Sequence, residues 1–87
     1  MQVMVELSLY PLVNEYIPPI QNFIDRLNSY TELSINTCST STQVTGDYTK
    51  VMEILGKEMQ RTHDEVGQAI FVAKFLNFDA MQSRKSS

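Results

Sequence analysis

The sequence contains few of the residues that usually carry catalysis or covalent reinforcement. It has one cysteine, Cys38, one histidine, His63, and no tryptophan. A single cysteine cannot form a disulfide within the chain, and a lone histidine does not supply the several donors that a zinc site needs. The sequence also has no phosphate-binding loop and no nucleophile elbow. We therefore expect no catalytic residues, no metal and no cofactor.

Basic residues are in the minority, and long apolar runs are missing. Lysine and arginine together number 7 against 10 acidic residues, which gives a net charge of −3. A surface that binds nucleic acid needs clustered positive charge in excess, so we do not expect that partner. No stretch approaches the ~18 apolar residues that cross a bilayer, and the N-terminal residues do not resemble a signal peptide. We expect no membrane partner and a cytoplasmic location.

The chain has 87 residues, which is enough for one small domain. We assign residues 1–80 to that domain and the polar, basic residues 81–87 to a flexible tail. A domain of this size buries only about 60–65% of the surface of its unfolded chain. Its stability when alone is therefore small, and association with a second copy would increase it.

The spacing of apolar residues predicts six elements. Alternation with a period of two from Val3 to Leu9 indicates a strand with one buried face. Spacings of three and four residues indicate two amphipathic helices, the second of them capped by Asp47 and ended by Gly67. The predicted elements are a strand over Gln2–Tyr10, a helix from about Asn14 to Tyr30, a strand over Glu32–Cys38, a strand that includes Gln43–Thr45, a helix from Asp47 to about Val66, and a strand over Ala69–Phe78.

The two predicted helices each carry one apolar stripe. Each stripe is expected to face the sheet, because an amphipathic helix buries its apolar side. Pro18 and Pro19 must lie in or before the first turn of the first helix, and Asn14 is a possible cap. The predicted stripes are Tyr16, Ile20, Phe23, Ile24 and Leu27 in the first helix, and Val51, Met52, Leu55, Met59 and Val66 in the second.

This order, βαββαβ, predicts an α+β fold in which both helices cover one face of a four-stranded antiparallel sheet. The opposite face of the sheet then has no cover from the same chain. In the last strand only Lys74 and Asn77 interrupt the apolar residues. A long apolar strand at a sheet edge promotes aggregation unless something covers it. We therefore expect self-association into a dimer or tetramer through the open face or the last strand.

One strand carries polar side chains that suggest a binding site. Glu6, Ser8 and Tyr10 occur at two-residue spacing in the first strand, which places them on the same face. A carboxylate among apolar neighbours is costly to bury without a partner, so Glu6 is either solvated on the open face or paired with a ligand. The second alternative suits a polar, cationic heterocycle. The expected ligand-binding residues are Glu6, Ser8, Tyr10, Asn36, Cys38, Gln43 and Thr45.

His63 admits two interpretations. It lies near the end of the second predicted helix, beside Asp64. A histidine at a helix C-terminus is stabilised by the helix dipole, which is the simpler interpretation. A role in ligand binding is the alternative, and the sequence alone does not decide between them.

Three segments resemble a known family. Glu6–Leu12 (ELSLYPL), Thr42–Gly46 (TQVTG) and Arg61–Val66 (RTHDEV) resemble segments of the YkoF-like thiamine/hydroxymethylpyrimidine-binding proteins, and the resemblance extends from about Val3 to Asp79. The turn Gly67–Ala69 departs from the family pattern, because it is shorter and no basic residue opens the last strand.

The resemblance implies ferredoxin-like domains that pair through their sheets into dimers or tetramers. It also implies thiamine or its hydroxymethylpyrimidine part as the ligand. We expect this ligand to bind against the open sheet face, with Glu6 as the main polar anchor. The expected function is non-catalytic binding of such a molecule. The alternative is an oligomeric interaction or regulatory protein without a small-molecule ligand.

Overall fold

The computed structural model describes residues 1–77. The predicted βαββαβ order is confirmed, and the four strands form one antiparallel sheet in the order β2-β3-β1-β4. The last strand is an edge strand, as expected. The elements are β1 (Gln2–Pro11), α1 (Ile17–Asn28), β2 (Ser34–Thr37), β3 (Thr42–Asp47), α2 (Tyr48–Val66) and β4 (Ala69–Asn77).

Both helices pack on the same face of the sheet. Val5 of β1 and Val44 of β3 lie opposite each other and are 0% exposed. They belong to one apolar cluster with Leu27 of α1 and Val51 of α2. Burial of one such side chain contributes about 1.5–3 kcal/mol, so this layer supplies much of the fold's stability. The opposite face of the sheet is open, as the sequence predicts.

The first helix is shorter than predicted. It begins at Ile17, and Pro18 and Pro19 occupy its first turn, where a missing N–H leaves no hydrogen bond unmade. Tyr16, and not Asn14, precedes the first turn as the N-cap residue. The prediction that the Tyr16 side chain is buried is wrong, because it is 53% exposed. Tyr16 precedes the first residue of the helix, so its side chain is not packed against the sheet.

The second helix has the predicted ends. The Asp47 side chain accepts a hydrogen bond from the amide of Lys50 at 3.3 Å, and Gly67 ends the helix with a φ of 87°, a conformation that favours glycine. Its buried stripe differs from the prediction, because Ile54, Glu58 and Thr62 are buried and Met59 and Val66 are only partly buried. Met52 is 42% exposed.

A two-residue turn joins β2 and β3. The amide of Cys38 donates to the carbonyl of Ser41 at 2.9 Å, which encloses Ser39 and Thr40. Strand β2 is therefore shorter than the predicted Glu32–Cys38. The predicted end of the last strand at Phe78, the domain boundary at residue 80 and the tail over residues 81–87 lie outside the described residues.

A hydrogen-bonded ion pair joins the two helices. The Glu58 side chain is 3% exposed and accepts hydrogen bonds from Arg26 Nε at 2.6 Å and from the Tyr30 hydroxyl at 2.6 Å. Arg26 also donates to the Thr62 hydroxyl at 2.7 Å and reaches the exposed carboxylate of Glu65 at 3.3 Å. Burial alone would raise the pKa of Glu58, but the hydrogen bonds from Tyr30 and Arg26 outweigh it and hold that pKa below its ordinary value. The network fixes α1 against α2.

Candidate functional site

A row of polar side chains crosses the open face of the sheet. The register places Glu6 of β1 between Gln43 of β3 and Lys74 of β4, and it places Asn36 of β2 beyond Gln43. We call these four residues the polar row. Lys74 Nζ lies 3.7 Å from a Glu6 carboxylate oxygen, and Asn36 Nδ2 donates to Gln43 Oε1 at 3.5 Å. These four side chains therefore lie side by side on the open face of the sheet.

Glu6 has a cationic partner that the sequence analysis did not predict. The side chain of Glu6 is 38% exposed and that of Lys74 is 82% exposed. An ion pair this exposed contributes roughly 0–1 kcal/mol, so a ligand can displace Lys74 at little cost. Glu6 is therefore neither buried nor unpaired, and its carboxylate is available from the open face.

A cavity of about 420 Å³ lies at the end of β1, and we call it the β1 cavity. It forms because the first residue of β3, Thr42, lies opposite Leu7, whereas β1 continues to Pro11 without a β3 partner. The start of α1 and the turn between β2 and β3 line two further sides, and the cavity is open to solvent on the rest. Its lining consists of Leu7, Ser8, Leu9, Tyr10, Pro11, Tyr16, Ile20, Phe23, Ile24 and the turn residues Thr37–Thr42.

The walls of the β1 cavity differ in chemistry. The helix side is apolar and aromatic, with Phe23 at its base and the half-exposed ring of Tyr16 at its rim. The turn side carries hydroxyl groups and the Cys38 thiol. Small-molecule pockets of about 300–1,000 Å³ with apolar walls and a few polar groups are the usual form of a ligand site in proteins. The β1 cavity therefore has the size and chemistry to hold one small aromatic ring.

Only three of the seven expected site residues line this cavity. They are Ser8, Tyr10 and Cys38. Asn36 and Gln43 belong to the polar row, and Thr45 lies in the next row, opposite Met4. Sequence reasoning missed the contributions of Tyr16, Phe23 and Thr40. Tyr16 and Phe23 were assigned to the core stripe of α1, and Thr40 lies in a turn whose position the sequence does not fix.

The polar row and the β1 cavity meet at Ser41. The Ser41 hydroxyl donates to Glu6 Oε2 at 3.4 Å, and the Ser8 hydroxyl donates to the carbonyl of Thr40 at 3.0 Å. Both serines line the cavity. A ligand whose ring occupied the cavity could therefore extend across them toward the Glu6 carboxylate.

Hydrogen bonding to the Ser41 side chain lowers the pKa of the Cys38 thiol, with further contributions from the backbone of Ser41 and Thr40. The Ser41 hydroxyl lies 3.7 Å from Cys38 Sγ. A thiol with a lowered pKa has more thiolate character at neutral pH. The thiol, which donates to the Ser41 carbonyl at 3.4 Å, adds a polarisable group to the rim of the β1 cavity.

The contacts of His63 are those of a residue that holds two elements of the fold together. Its Nε2 lies 3.0 Å from the carbonyl oxygen of Ala69, and its ring meets the ring of Phe71 edge to face at 5.3 Å. These contacts join the end of α2 to β4, and neither places His63 in the β1 cavity. Within residues 1–77, no group of three or more histidine, cysteine or acidic side chains is arranged to hold a metal ion. Nor does that part of the chain contain a helix long and apolar enough to cross a membrane.

Known structures share this fold at low sequence identity. A protein from Streptococcus pneumoniae superposes with a TM-score of 0.83 at 19% identity, over 100% of both chains. A Thermotoga maritima protein, provisionally assigned to thiamine biosynthesis or salvage, superposes with a TM-score of 0.79 at 13% identity, over 98% of this chain and 99% of that one.

A domain of unknown function from Bacillus cereus gives a TM-score of 0.70 at 13% identity, covering 88% of this chain and 76% of that one. No protein-family model matches the sequence, and no curated protein does. The superpositions establish the ferredoxin-like fold. Sequence identities this low say nothing about the ligand, which has to be inferred from the site.

Proposed function

We propose that this protein is a non-catalytic binding protein for thiamine or a related pyrimidine, and that the ring of the ligand occupies the β1 cavity. The observation that carries the proposal is the cavity itself, which has about 420 Å³ of space between an aromatic helix wall and a hydroxyl-lined turn. The Thermotoga maritima neighbour and the resemblance to the YkoF-like family support the choice of ligand class. Membership of that family is part of the proposal.

The location proposed for the site differs from the one expected from the sequence. The expected site was the open sheet face, but the concave surface lies at the end of β1, and Glu6 stands beside it. We propose that the pyrimidine enters the cavity and that the cationic thiazolium of thiamine lies over Ser8 and Ser41. There the charge would pair with Glu6 in place of Lys74. Such charge-assisted contacts are stronger than neutral hydrogen bonds.

Tyr16→Ala is expected to weaken thiamine binding by about 0.5–2 kcal/mol, because the variant loses an aromatic contact with the cationic ligand. The tyrosine side chain makes no capping hydrogen bond to α1, so its removal should leave the fold intact. Isothermal calorimetry measures the effect. Tyr48→Ala is the matched control, because Tyr48 is 42% exposed and lies outside the cavity lining.

The same titrations distinguish the roles of the two candidate sites. Glu6→Gln should weaken thiamine binding by about 1.5–3 kcal/mol and hydroxymethylpyrimidine binding much less, since only thiamine carries the cation. An unsubstituted pyrimidine serves as the neutral control. Absence of heat with thiamine and hydroxymethylpyrimidine up to millimolar concentration would refute the ligand proposal. In that case the alternative function, an interaction protein without a small ligand, would be favoured.

We also propose that two copies associate through the β4 side of the open face. Tyr10, Ile70 and Val72 are each about half exposed on this face and lie next to one another in the β1–β4 register, so they form one apolar patch. Glu6 and Lys74 lie beside them, so two copies related by a twofold axis can oppose unlike charges. The occupant that fits this self-complementary surface is a second copy of the chain.

Val72→Asp is expected to convert the oligomer to a monomer, because it places a carboxylate in the apolar centre of the proposed interface. Light scattering at micromolar concentration measures the mass. Gln60→Glu changes the charge by the same amount on the exposed surface of α2 and should leave the mass unchanged. A wild-type protein with the mass of one chain would contradict the proposal.

A further inference from the structure

The backbone groups of β1 alternate between its two neighbouring strands. The amide of Leu12 donates to the carbonyl of Gln68 at 3.0 Å, which continues the β1–β4 register. In an antiparallel ladder this pattern repeats every second residue, so the even-numbered residues of β1 bond to β4. The amide of Tyr48 donates to the carbonyl of Met1 at 2.9 Å and continues the β1–β3 register. From both observations, the backbone N–H and C=O groups of the odd-numbered residues of β1 point toward β3.

The odd-numbered residues beyond Leu7 have no strand beside them. The β1–β3 pairing ends with Leu7 opposite Thr42. A continued register would place Thr40 opposite Leu9, but the chain turns there, and the Thr40 carbonyl accepts the Ser8 hydroxyl instead. Within residues 1–77, no turn or loop backbone group bonds to the amide or the carbonyl of Leu9. Leu9 therefore directs an unpaired N–H and an unpaired C=O away from β4.

These groups face the β1 cavity. Leu9 and Pro11 both line it, and Pro11, the next residue with the same orientation, has no N–H to leave unpaired. Buried backbone groups without partners are rare, because each one costs the free energy of a lost hydrogen bond. A proline is also well placed at a strand position where no neighbour needs its amide. The wall of the cavity thus presents one donor and one acceptor from Leu9, followed by one acceptor from Pro11.

A single extended residue of this kind pairs with a partner that carries an acceptor next to a donor. Another strand does so in an antiparallel ladder. A primary amide does so as well, and so does a ring nitrogen beside an exocyclic amino group. Pro11 removes the donor that a longer ladder would use, so the site suits a short two-atom edge better than an extended peptide. The aromatic walls further favour a flat ring over a chain.

We infer that the Leu9 backbone is the recognition element of the β1 cavity, and that it selects ligands with a hydrogen-bond acceptor adjacent to a donor, such as 4-aminopyrimidines. The Leu9 N–H donates to the ring nitrogen, and the Leu9 carbonyl accepts from the amino group. This inference rests on the proposed function for its ligand class. It adds the atoms that distinguish an aminopyrimidine from another ring of the same size.

Hydrogen exchange on the unliganded protein tests the first step without any variant. The Leu9 amide should exchange much faster than the amides of Leu7, Ser8 and Tyr10, which have ladder partners. Addition of 4-aminopyrimidine should then slow exchange at Leu9. Protection of Leu9 in the free protein equal to that of Leu7 would overturn the inference, whatever the ligand results.

An amide-to-ester replacement at Leu9 tests the second step. Cys38 allows a synthetic peptide of residues 1–37 to be ligated to residues 38–87 without a change of sequence, so the full chain is used. The Leu9 ester should lower the melting temperature only slightly, because its N–H has no partner within the fold and the replacement only weakens the Ser8 carbonyl as an acceptor. The same replacement at Leu7 is the matched control and should lower the melting temperature by several degrees, because it removes a ladder hydrogen bond.

The Leu9 ester should bind 4-aminopyrimidine about tenfold more weakly than the wild type, which is the effect of one lost hydrogen bond in a desolvated site. It should bind 4-methylpyrimidine as weakly as the wild type does. Equal affinity of ester and wild type for 4-aminopyrimidine would overturn the inference and leave the proposed function standing. Binding of acetamide but of no pyrimidine would overturn the proposed function and support the Leu9 pairing. Absence of binding by the whole panel would overturn both.

Discussion

Glu58→Ala is expected to lower the free energy of unfolding by about 3–5 kcal/mol, the range observed when one partner of a buried ion pair is removed. The substitution leaves Arg26, whose side chain is only 15% exposed, without its nearest carboxylate. It also leaves the Tyr30 hydroxyl without the acceptor that it meets at 2.6 Å. Since the network joins α1 to α2, its loss should loosen the helical layer as a whole. Urea denaturation followed by circular dichroism measures the change.

Glu65→Ala is the control for this prediction. Glu65 contacts the same arginine, but its side chain is 52% exposed, so its removal should change the free energy of unfolding by less than about 1 kcal/mol. Equal effects of the two substitutions would show that burial of Glu58 does not determine the strength of the network.

The network also predicts a dependence of stability on pH. The pKa of Glu58 in the folded protein lies below its ordinary value of 4.5. A lowered carboxyl pKa contributes stability that is fully present above pH 4.5 and is lost as the pH falls through the folded-state pKa. The hydrogen bond to Glu58 raises the pKa of Tyr30, so the tyrosine contributes stability below its ordinary pKa of 10.0 and loses it as the pH rises through the folded-state value. Glu58→Ala should therefore reduce the dependence of the free energy of unfolding on pH at both the acidic and the alkaline end.

Phe23→Ala is expected to lower the free energy of unfolding by about 3–5 kcal/mol, as is usual for truncation of a buried phenylalanine. Phe23 is 2% exposed, and its ring lies 5.1 Å from that of Phe71. It contributes both to the core and to the lining of the β1 cavity, so the variant should also lose ligand affinity. Denaturation and calorimetry on the same sample measure the two effects.

Ile17→Ala provides the comparison for Phe23→Ala on the same helix. Ile17 is 61% exposed, so its truncation should change the free energy of unfolding by no more than about 0.5 kcal/mol. A loss below 1 kcal/mol for Phe23→Ala would mean that the core closes around the vacated space, and that the base of the cavity is not rigid.

The order of elements and the faces of the strands could be predicted from the sequence, because both depend on local periodicity. Alternation in β1 placed Val5 inward and Glu6 outward, and the structure has both as predicted. The capping residues of α2 could also be predicted from the sequence, because Asp47 and Gly67 act through contacts within a few residues.

Pairings between distant residues could not be predicted in this way. The contact of Arg26 with Glu58 spans 32 residues, and it depends on how two helices are rotated against each other. The pairing of Glu6 with Lys74 depends on the register of β4, which the length of α2 and the following turn determine.

The β1 cavity depends on one feature that the composition leaves open. The stretch from Cys38 to Thr42 is rich in serine and threonine, and these residues are compatible with a turn at several positions. The structure places the turn at Ser39 and Thr40, so β3 begins at Thr42, opposite Leu7, and the residues of β1 beyond Leu7 have no β3 partner. An earlier turn would let β3 begin at Thr40, extend the ladder to Leu9 and fill the cavity, and a later one would shorten β3 and open the cavity to solvent.

The central claim is that a pyrimidine ring binds in the β1 cavity, and an NMR titration of the labelled protein with hydroxymethylpyrimidine tests it most directly. The account predicts that the largest amide shift changes fall on residues of the cavity, with Leu9, Tyr16 and Thr40 among them. Saturable changes centred on Asn36, Gln43 and Thr45 would place the ligand on the open face and contradict the account, as would a spectrum that does not change at millimolar ligand.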